Sequence, residues 1–302
     1  MRHLSIYRNL DVVSKVGSIR QAAELLAITP SALNRQILGL EEEVGVPIFE
    51  RLPRGVRLST AGELLIHHIR KQLSDLDRVQ SQIADLSGVR RGHVSIACSQ
   101  ALLPYFLPQE IEAYRKEHPG VTFSVTVRDR EAAEQALREY AADVAIIFEP
   151  VHLADCQTLL IAKQKIHAVI SKDHALARRK TVKLEHCVQY PLALPSMPYG
   201  VRALMEQAAT KKNITLDPAV QSDSFEFLRH VVSNNETVAF QIEIGLPQLD
   251  HGSETISRPV SETDLPAGRL HLTQLRGRSL PVAAARFADQ LQSAFTEKFE
   301  CA

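Results

Sequence analysis

Residues 18–60 read SIRQAAELLAITPSALNRQILGLEEEVGVPIFERLPRGVRLST. The stretch predicts two short helices, a turn and an arginine-bearing hairpin. Ser18 is a natural N-cap for a first helix through Ala22, Ala23, Leu25 and Leu26, since its hydroxyl accepts a bond from an orphan N–H. Ala22 and Ala23 are small enough to let a second helix cross closely. Thr29 caps that second helix, and Pro30 takes its first position, where a missing N–H costs nothing. Its inner face is Ala32, Leu33, Ile37 and Leu40; Ser31, Asn34 and Arg35 fall outward near its start. Short polar residues and an arginine at that end of a helix suit base edges and phosphates in a DNA major groove. Arg51, Arg54 and Arg57 then lie in a seven-residue span, with Glu50 the only acid bordering it.

The pieces stand in a long fixed order. Gly17-Ser18-Ile19-Arg20-Gln21-Ala22-Ala23 comes first, then Thr29-Pro30-Ser31-Ala32-Leu33-Asn34-Arg35-Gln36-Ile37. Leu40-Glu41-Glu42-Glu43-Val44-Gly45-Val46-Pro47-Ile48-Phe49-Glu50-Arg51 and Leu58-Ser59-Thr60-Ala61-Gly62 follow. This run, covering the chain to about residue 65, resembles the winged helix-turn-helix of LysR-type transcriptional regulators. It departs at Asn34, where that family usually has serine, which puts base preference in question. Ser18, Arg20, Thr29, Pro30, Ser31, Asn34 and Arg35, with Arg51, Arg54 and Arg57 of the wing, are the DNA-binding candidates. The resemblance implies double-stranded operator DNA as partner, control of a neighbouring gene or operon, and a homodimer assembled further into a dimer of dimers. RNA polymerase would be a further partner. No cofactor is implied.

Composition is compatible with this. The chain has 302 residues, enough for two or more domains, with 35 basic and 35 acidic side chains and zero formal net charge. A DNA contact needs a local field, which the wing arginines supply, rather than a basic total. The N-terminus MRHLSIYRNLDVV lacks the apolar core and small-residue cleavage site of a secretory peptide, and no apolar run of the roughly 20 residues that span a bilayer occurs, so a cytoplasmic location is expected. Cys98, Cys156, Cys187 and Cys301 are scattered, with no zinc spacing and nothing marking a reactive thiol.

Three divisions are expected: a winged helix-turn-helix over 1–60, a linker helix over 61–88 and an α/β effector-binding domain over 89–302. In the linker, Ile66, Ile69, Leu73, Leu76 and Ile83, with Gln80 between the last two, alternate steps of three and four, the period of a two-stranded coiled coil. The resemblance implies a dimerisation helix, and the alternative is an amphipathic helix lying on its own domain. Ser87-Gly88 would end that helix and Arg90-Arg91-Gly92 form a hinge. From His93, strands and helices alternate as βαβαβ, which favours a largely parallel sheet flanked by helices. The chain is expected to cross near Ile161–Gln164 and again near Pro266–Arg269, making lobe I from 93–162 and 267–302 and lobe II from 163–266. Two lobes on two crossing strands make a clamshell with a ligand cleft. This half resembles, less specifically, the family's effector-binding domain, itself similar to periplasmic solute-binding proteins, through His118-Pro119-Gly120-Val121 and Asp143-Val144-Ala145-Ile146.

Ligands in such folds sit beyond the carboxyl ends of strands, where helix N-termini present N–H groups. Ser99 and Gln100 follow the first strand, Arg128 and Asp129 end the second, and Ser196 with Tyr199 precedes a later helix. Phe225, Phe240 and Gln241 would supply walls and one more polar group. The expectation is a small anion, a carboxylate, held by N–H groups with Ser99, Ser196 and Arg128. Each of these also has a plain structural role open to it: Ser99 as a helix cap, Arg128 in a surface ion pair.

An enzyme is not expected. No G-x-S-x-G, Walker or strand-borne G-x-G-x-x-G sequence is present, and His67-His68, about 100° apart on a helix, cannot easily share a metal. The alternative is a solute-binding or transport-type receptor with an incidental helical head; such a protein needs export, and no signal peptide is present.

Overall fold

The computed structural model describes residues 2–86, 91–233, 236–247 and 254–301, and the chain divides into two compact units, Met1–Ile83 and Ala84–Ala302. The N-terminal head comprises α1 (Arg2–Val16), α2 (Ile19–Leu25), α3 (Pro30–Val44), β1 (Phe49–Leu52), β2 (Gly55–Leu58) and most of α4 (Thr60–Leu86). Ala22 and Ala23 are fully buried beside Leu10, Val13, Leu33 and Ile37, so the close crossing that their size permits is used. Ala27 turns the chain between α2 and α3 in the left-handed region (φ 53°), and Gly45 ends α3 likewise at φ 80°. The wing is pinned to the α1–α2 turn by Val56 N–H donating to the Gly17 carbonyl at 2.8 Å. That approach requires glycine at position 55: its φ is 116°, and a Cβ there would lie 2.3 Å from the Gly17 oxygen.

The linker helix corrects one expectation. Ile66 and Ile69 are buried in the head's own core, and Leu73 packs partly against it. Ile66 and Ile69 therefore do not belong to a coiled-coil seam. Arg70 reinforces the docking, with Nε donating to Asp11 at 2.7 Å and Nη2 to Ser14 at 3.3 Å. The apolar side chains that α4 leaves exposed are Leu64, Val79 and Ile83. Period alone could not separate the stripe facing the head from a stripe facing a partner. The expected helix end at Ser87-Gly88 and Arg90 of the expected hinge lie outside the described residues, whereas Arg91 and Gly92 of that hinge open a strand.

The C-terminal unit holds two sheets. The first contains β3 (Arg91–Cys98), β4 (Gly120–Val127), β5 (Val144–Phe148), β6 (Cys156–Gln164) and β12 (Gly268–Leu275), in the order β4-β3-β5-β12-β6. The second contains β7 (Ile166–Ser171), β8 (Leu192–Pro195), β9 (Pro218–Ser222), β10 (Val238–Ile242) and β11 (Thr255–Pro259), in the order β11-β7-β10-β8-β9. The sheets are mixed, not largely parallel. β12 runs antiparallel to both β5 and β6, and β7 is antiparallel to both β10 and β11. The reason is topological: a strand that returns from the other lobe enters from the opposite end. The crossings fall at Lys165 and between Pro259 and Gly268. β6 and β11, both absent from the sequence reading, are the strands that lead into those crossings.

Around the sheets lie α5 (Phe106–Glu117), α6 (Arg130–Arg138), the short α7 (Leu184–Cys187), α8 (Gly200–Lys211), α9 (Phe225–Val231) and α10 (Val282–Lys298). One continuous apolar core runs through both sheets, with Phe287 and Phe295 of α10 fully buried in it. The lobes approach closely at Gly200, where a Cβ would lie 2.4 Å from the Phe148 carbonyl oxygen. No helix among the described residues is long and apolar enough to cross a membrane.

Candidate DNA-reading surface and ligand cavity

In the head, capping chemistry sets the reading surface. The Ser18 hydroxyl accepts from Gln21 N–H at 3.4 Å and the Thr29 hydroxyl from Ala32 N–H at 3.2 Å, with Pro30 at the first helical position. Starting α3 there sends Leu33 and Ile37 into the core and leaves Ser31 and Arg35 exposed and Asn34 half-buried. Arg20 is exposed on α2 and pairs loosely with Glu24 at 3.5 Å.

The three wing arginines are not equivalent. Arg57 pairs across the hairpin with Glu50 at 2.7 Å, the two being direct register partners. Arg51 donates through Nη2 to the Asn34 side-chain oxygen at 3.0 Å. Arg54, at the exposed turn, has no partner among the described residues. All three were expected to contact DNA; one has no partner among the described residues, one is paired with an acid and one is tied to α3. Glu41, which the motif contains but which was given no role, fixes the wing to α3: its Oε1 accepts from Ile48 N–H at 2.7 Å and Phe49 N–H at 3.0 Å. Carboxylate-to-amide bonds of this length are the stronger kind.

In the C-terminal unit the expected ligand residues separate into two chambers that meet at Phe225. Gln100 reaches from the first lobe to the second: Nε2 donates to the Tyr199 hydroxyl at 3.1 Å and to the Asp223 carbonyl, and Oε1 accepts from Phe225 N–H at 3.0 Å. The rings of Tyr199 and Phe225 lie 5.3 Å apart. On one side is a cavity of about 450 Å³, lined by Gln100, Leu103, Phe225, Arg229, Phe240 and Gln241 among others. On the other, Ser99, Arg128, Asp129, Tyr199 and Phe225 enclose about 10 Å³. That is room for one water at most.

The expected trio of Ser99, Ser196 and Arg128 is therefore not assembled as a carboxylate site. Ser99 caps a 3₁₀ turn by accepting from Ala101 N–H at 3.5 Å, Asp129 caps α6 by accepting from Ala132 N–H at 2.9 Å, and Ser196 lines neither chamber. Arg130, next to them, bridges the lobes by donating to the carbonyls of Pro198 (3.2 Å) and Glu149 (3.0 Å).

The large cavity has an apolar floor, with Val169, Leu228, Ala239 and Phe240 all buried. Among the described residues its charged lining is Glu226 and Arg229, neither of them singled out from the sequence. Arg229 donates to Glu226 through Nη2 at 2.6 Å and Nε at 3.1 Å, and these bonds hold the Glu226 carboxyl below its usual range. The Nη1 of Arg229 has no partner among the described residues. An i,i+3 pair on a helix was visible in Glu226 and Arg229; that the helix turns it toward a cavity was not.

Burial pushes the thiols of Cys98 and Cys187 up to about 12 and raises those of Cys156 and Cys301. None is a thiolate at neutral pH. No cluster of metal-ligating side chains occurs among the described residues.

The profile of the bacterial regulatory helix-turn-helix proteins of the lysR family matches residues 4–63, and that of the LysR substrate binding domain matches residues 87–296. The chain belongs to the LysR family. Its relatives include the transcriptional activator CmpR of Synechocystis sp., 23% identical over 92% of this chain and 91% of that protein. The RuBisCO operon transcriptional regulator of Allochromatium vinosum is 24% identical over 95% of each. Full-length OxyR from Pseudomonas aeruginosa, a cysteine-to-aspartate variant, shares the fold with a TM-score of 0.73 at 21% identity, over 96% of this chain and 94% of that one. The effector binding domain of QuiR, solved with shikimate, superposes with a TM-score of 0.60 at 18% identity, over 70% of this chain and all of that one. This LysR-family protein is thus a DNA-binding transcriptional regulator with an effector-binding domain, and not an enzyme.

Proposed function

We propose that this LysR-family regulator works in the cytoplasm as a homo-oligomer, reads operator DNA with the N-terminal half of α3, and responds to a small carboxylate with an apolar body seated in the cavity beside Gln100. The observation that carries the ligand assignment is a cavity of about 450 Å³ with buried apolar walls and the Arg229 guanidinium in its lining. Pockets of this size and character commonly take drug-sized molecules. Arg229 offers its Nη1 to an anion, and Gln241 offers an amide to a second polar group. Glu226 opposes the anion, which sets the affinity below that of an unpaired arginine.

Thr29, Ser31, Asn34 and Arg35 face the major groove in this reading, and Arg54 the flanking phosphates. Arg20 and Ser18 lie at the edge of the same surface. Leu64, Val79 and Ile83, the exposed apolar residues of α4, supply the contact between copies. Ligand acts through the Gln100 bridge. A molecule in the cavity changes how firmly Gln100 holds Phe225 N–H and Tyr199, and so changes the balance of open and closed lobes. It shifts that balance only by its difference in affinity for the two.

The test is binding to DNA upstream of the protein's own gene at two salt concentrations, with calorimetry against a panel of aromatic, aliphatic and hydroxylated carboxylates, shikimate included. Arg229→Ala is expected to weaken the best ligand at least tenfold and Glu226→Ala to tighten it. Equal affinity in wild type and Arg229→Ala would sink the carboxylate assignment.

A further inference from the structure

On the reading surface, the side chain of Asn34 is engaged by the wing. Its oxygen accepts from Arg51 Nη2 at 3.0 Å. The orientation of the amide follows from chemistry, because a guanidinium carries donors only and must face the carbonyl oxygen. The Nδ2 hydrogens remain as the amide's uncommitted groups. Arg51 is itself well placed to impose this. It lies two residues beyond Phe49, whose N–H is bound by Glu41 about two helical turns further along the same α3. Helix and strand are therefore registered against each other at a point close to the pair.

An unengaged asparagine reads adenine with both halves of its amide, accepting from N6 and donating to N7. With Arg51 on that oxygen, accepting from adenine N6 as well would crowd a second donor against a guanidinium, so the oxygen is a poor acceptor for adenine. What it presents together with the remaining N–H groups of Arg51 is a row of donors. The base edge with two acceptors and no donor in a purine is that of guanine, through N7 and O6. We infer that Asn34 and Arg51 form one donor-only reading unit that selects guanine over adenine at one position of each half-site. Asn34 is the specificity residue and Arg51 the residue that sets its polarity. The inference rests on α3 being the helix that enters the major groove.

Selection of the full-length protein on a randomised duplex library tests it. The wild type is expected to enrich guanine at one position per half-site. Arg51→Ala releases the Asn34 oxygen and is expected to move that position toward adenine, by about tenfold in the guanine-to-adenine ratio, while the other positions keep their preference. Asn34→Asp retains the bond to Arg51 but has no donor, and is expected to erase the guanine preference. If Arg51→Ala weakens all sequences alike and leaves every preference unchanged, the coupling is overturned. It is equally overturned if Asn34→Ala leaves the selected sequence as it was. Failure of the underlying reading looks different: Arg35→Ala would then also leave selectivity intact, or the wild type would select nothing.

Discussion

The head and the C-terminal unit place their candidate groups on opposite sides of the protein–water boundary. Ser31, Arg35 and Arg54 stand in solvent, held only by the helix and hairpin that carry them, whereas Phe225, Phe240 and Gln241 are buried. Recognition of DNA needs a surface that is finished before the partner arrives. Recognition of a small molecule needs an interior that excludes water. Substitutions should accordingly separate: in the head they change binding and spare stability, and in the cavity they change both.

The largest effect tests the buried side. Phe240→Ala removes a ring that is 3% exposed and is expected to cost about 3–5 kcal/mol of unfolding free energy, read from a denaturant midpoint. A loss below about 1 kcal/mol would show that the cavity wall is not packed as described.

Next in size is a pH effect confined to the same unit. Both ring nitrogens of His167 on β7 are buried with no hydrogen-bond partner among the described residues, and burial, helped by Lys165, holds its imidazole down to about 4. The unfolded chain takes up this proton near pH 6.5 and the folded one only near 4, so the stabilisation is fully present above pH 6.5 and is lost as pH falls toward 4. The amount is about 2–3 kcal/mol. His167→Leu should flatten this part of the stability curve; an unchanged slope would remove His167 as its source.

On the exposed side, Arg35→Ala is expected to cost about 1–3 kcal/mol of operator affinity with the melting temperature unchanged. A falling melting temperature would break the proposed separation. Arg54→Ala should weaken all sequences alike and reduce the salt slope by about one. Arg57→Ala, whose charge Glu50 already neutralises, should have the smallest effect, within roughly 0.5 kcal/mol. An effect of Arg57→Ala as large as that of Arg54→Ala would mean that the ion pair opens on DNA.

The same boundary governed what could be read from residues alone. Ser18, Thr29 and Pro30 were legible because a cap acts within three residues of itself. The family motif carried the head's architecture, and alternation carried most strands. Ile66 and Ile69 misled because a stripe reveals its period and not its partner. The Gln100 bridge was illegible as a bond: it joins residues 125 positions apart, and nothing in either segment names the other. Ser99 and Arg128 were placed at strand ends correctly, but no local rule reports that the space between them is about 10 Å³. Glu41 had its position in the motif and no role until its two amide bonds were seen.

Phe225 lines both chambers, and Gln100 binds its amide while also holding Tyr199. A molecule that altered the contacts of Gln100 or Phe225 in one chamber is expected to alter binding in the other, and such linkage is reciprocal. A wedge small enough to pry apart Ser99 and Arg128 would then change affinity in the larger cavity from a place the larger ligand never visits.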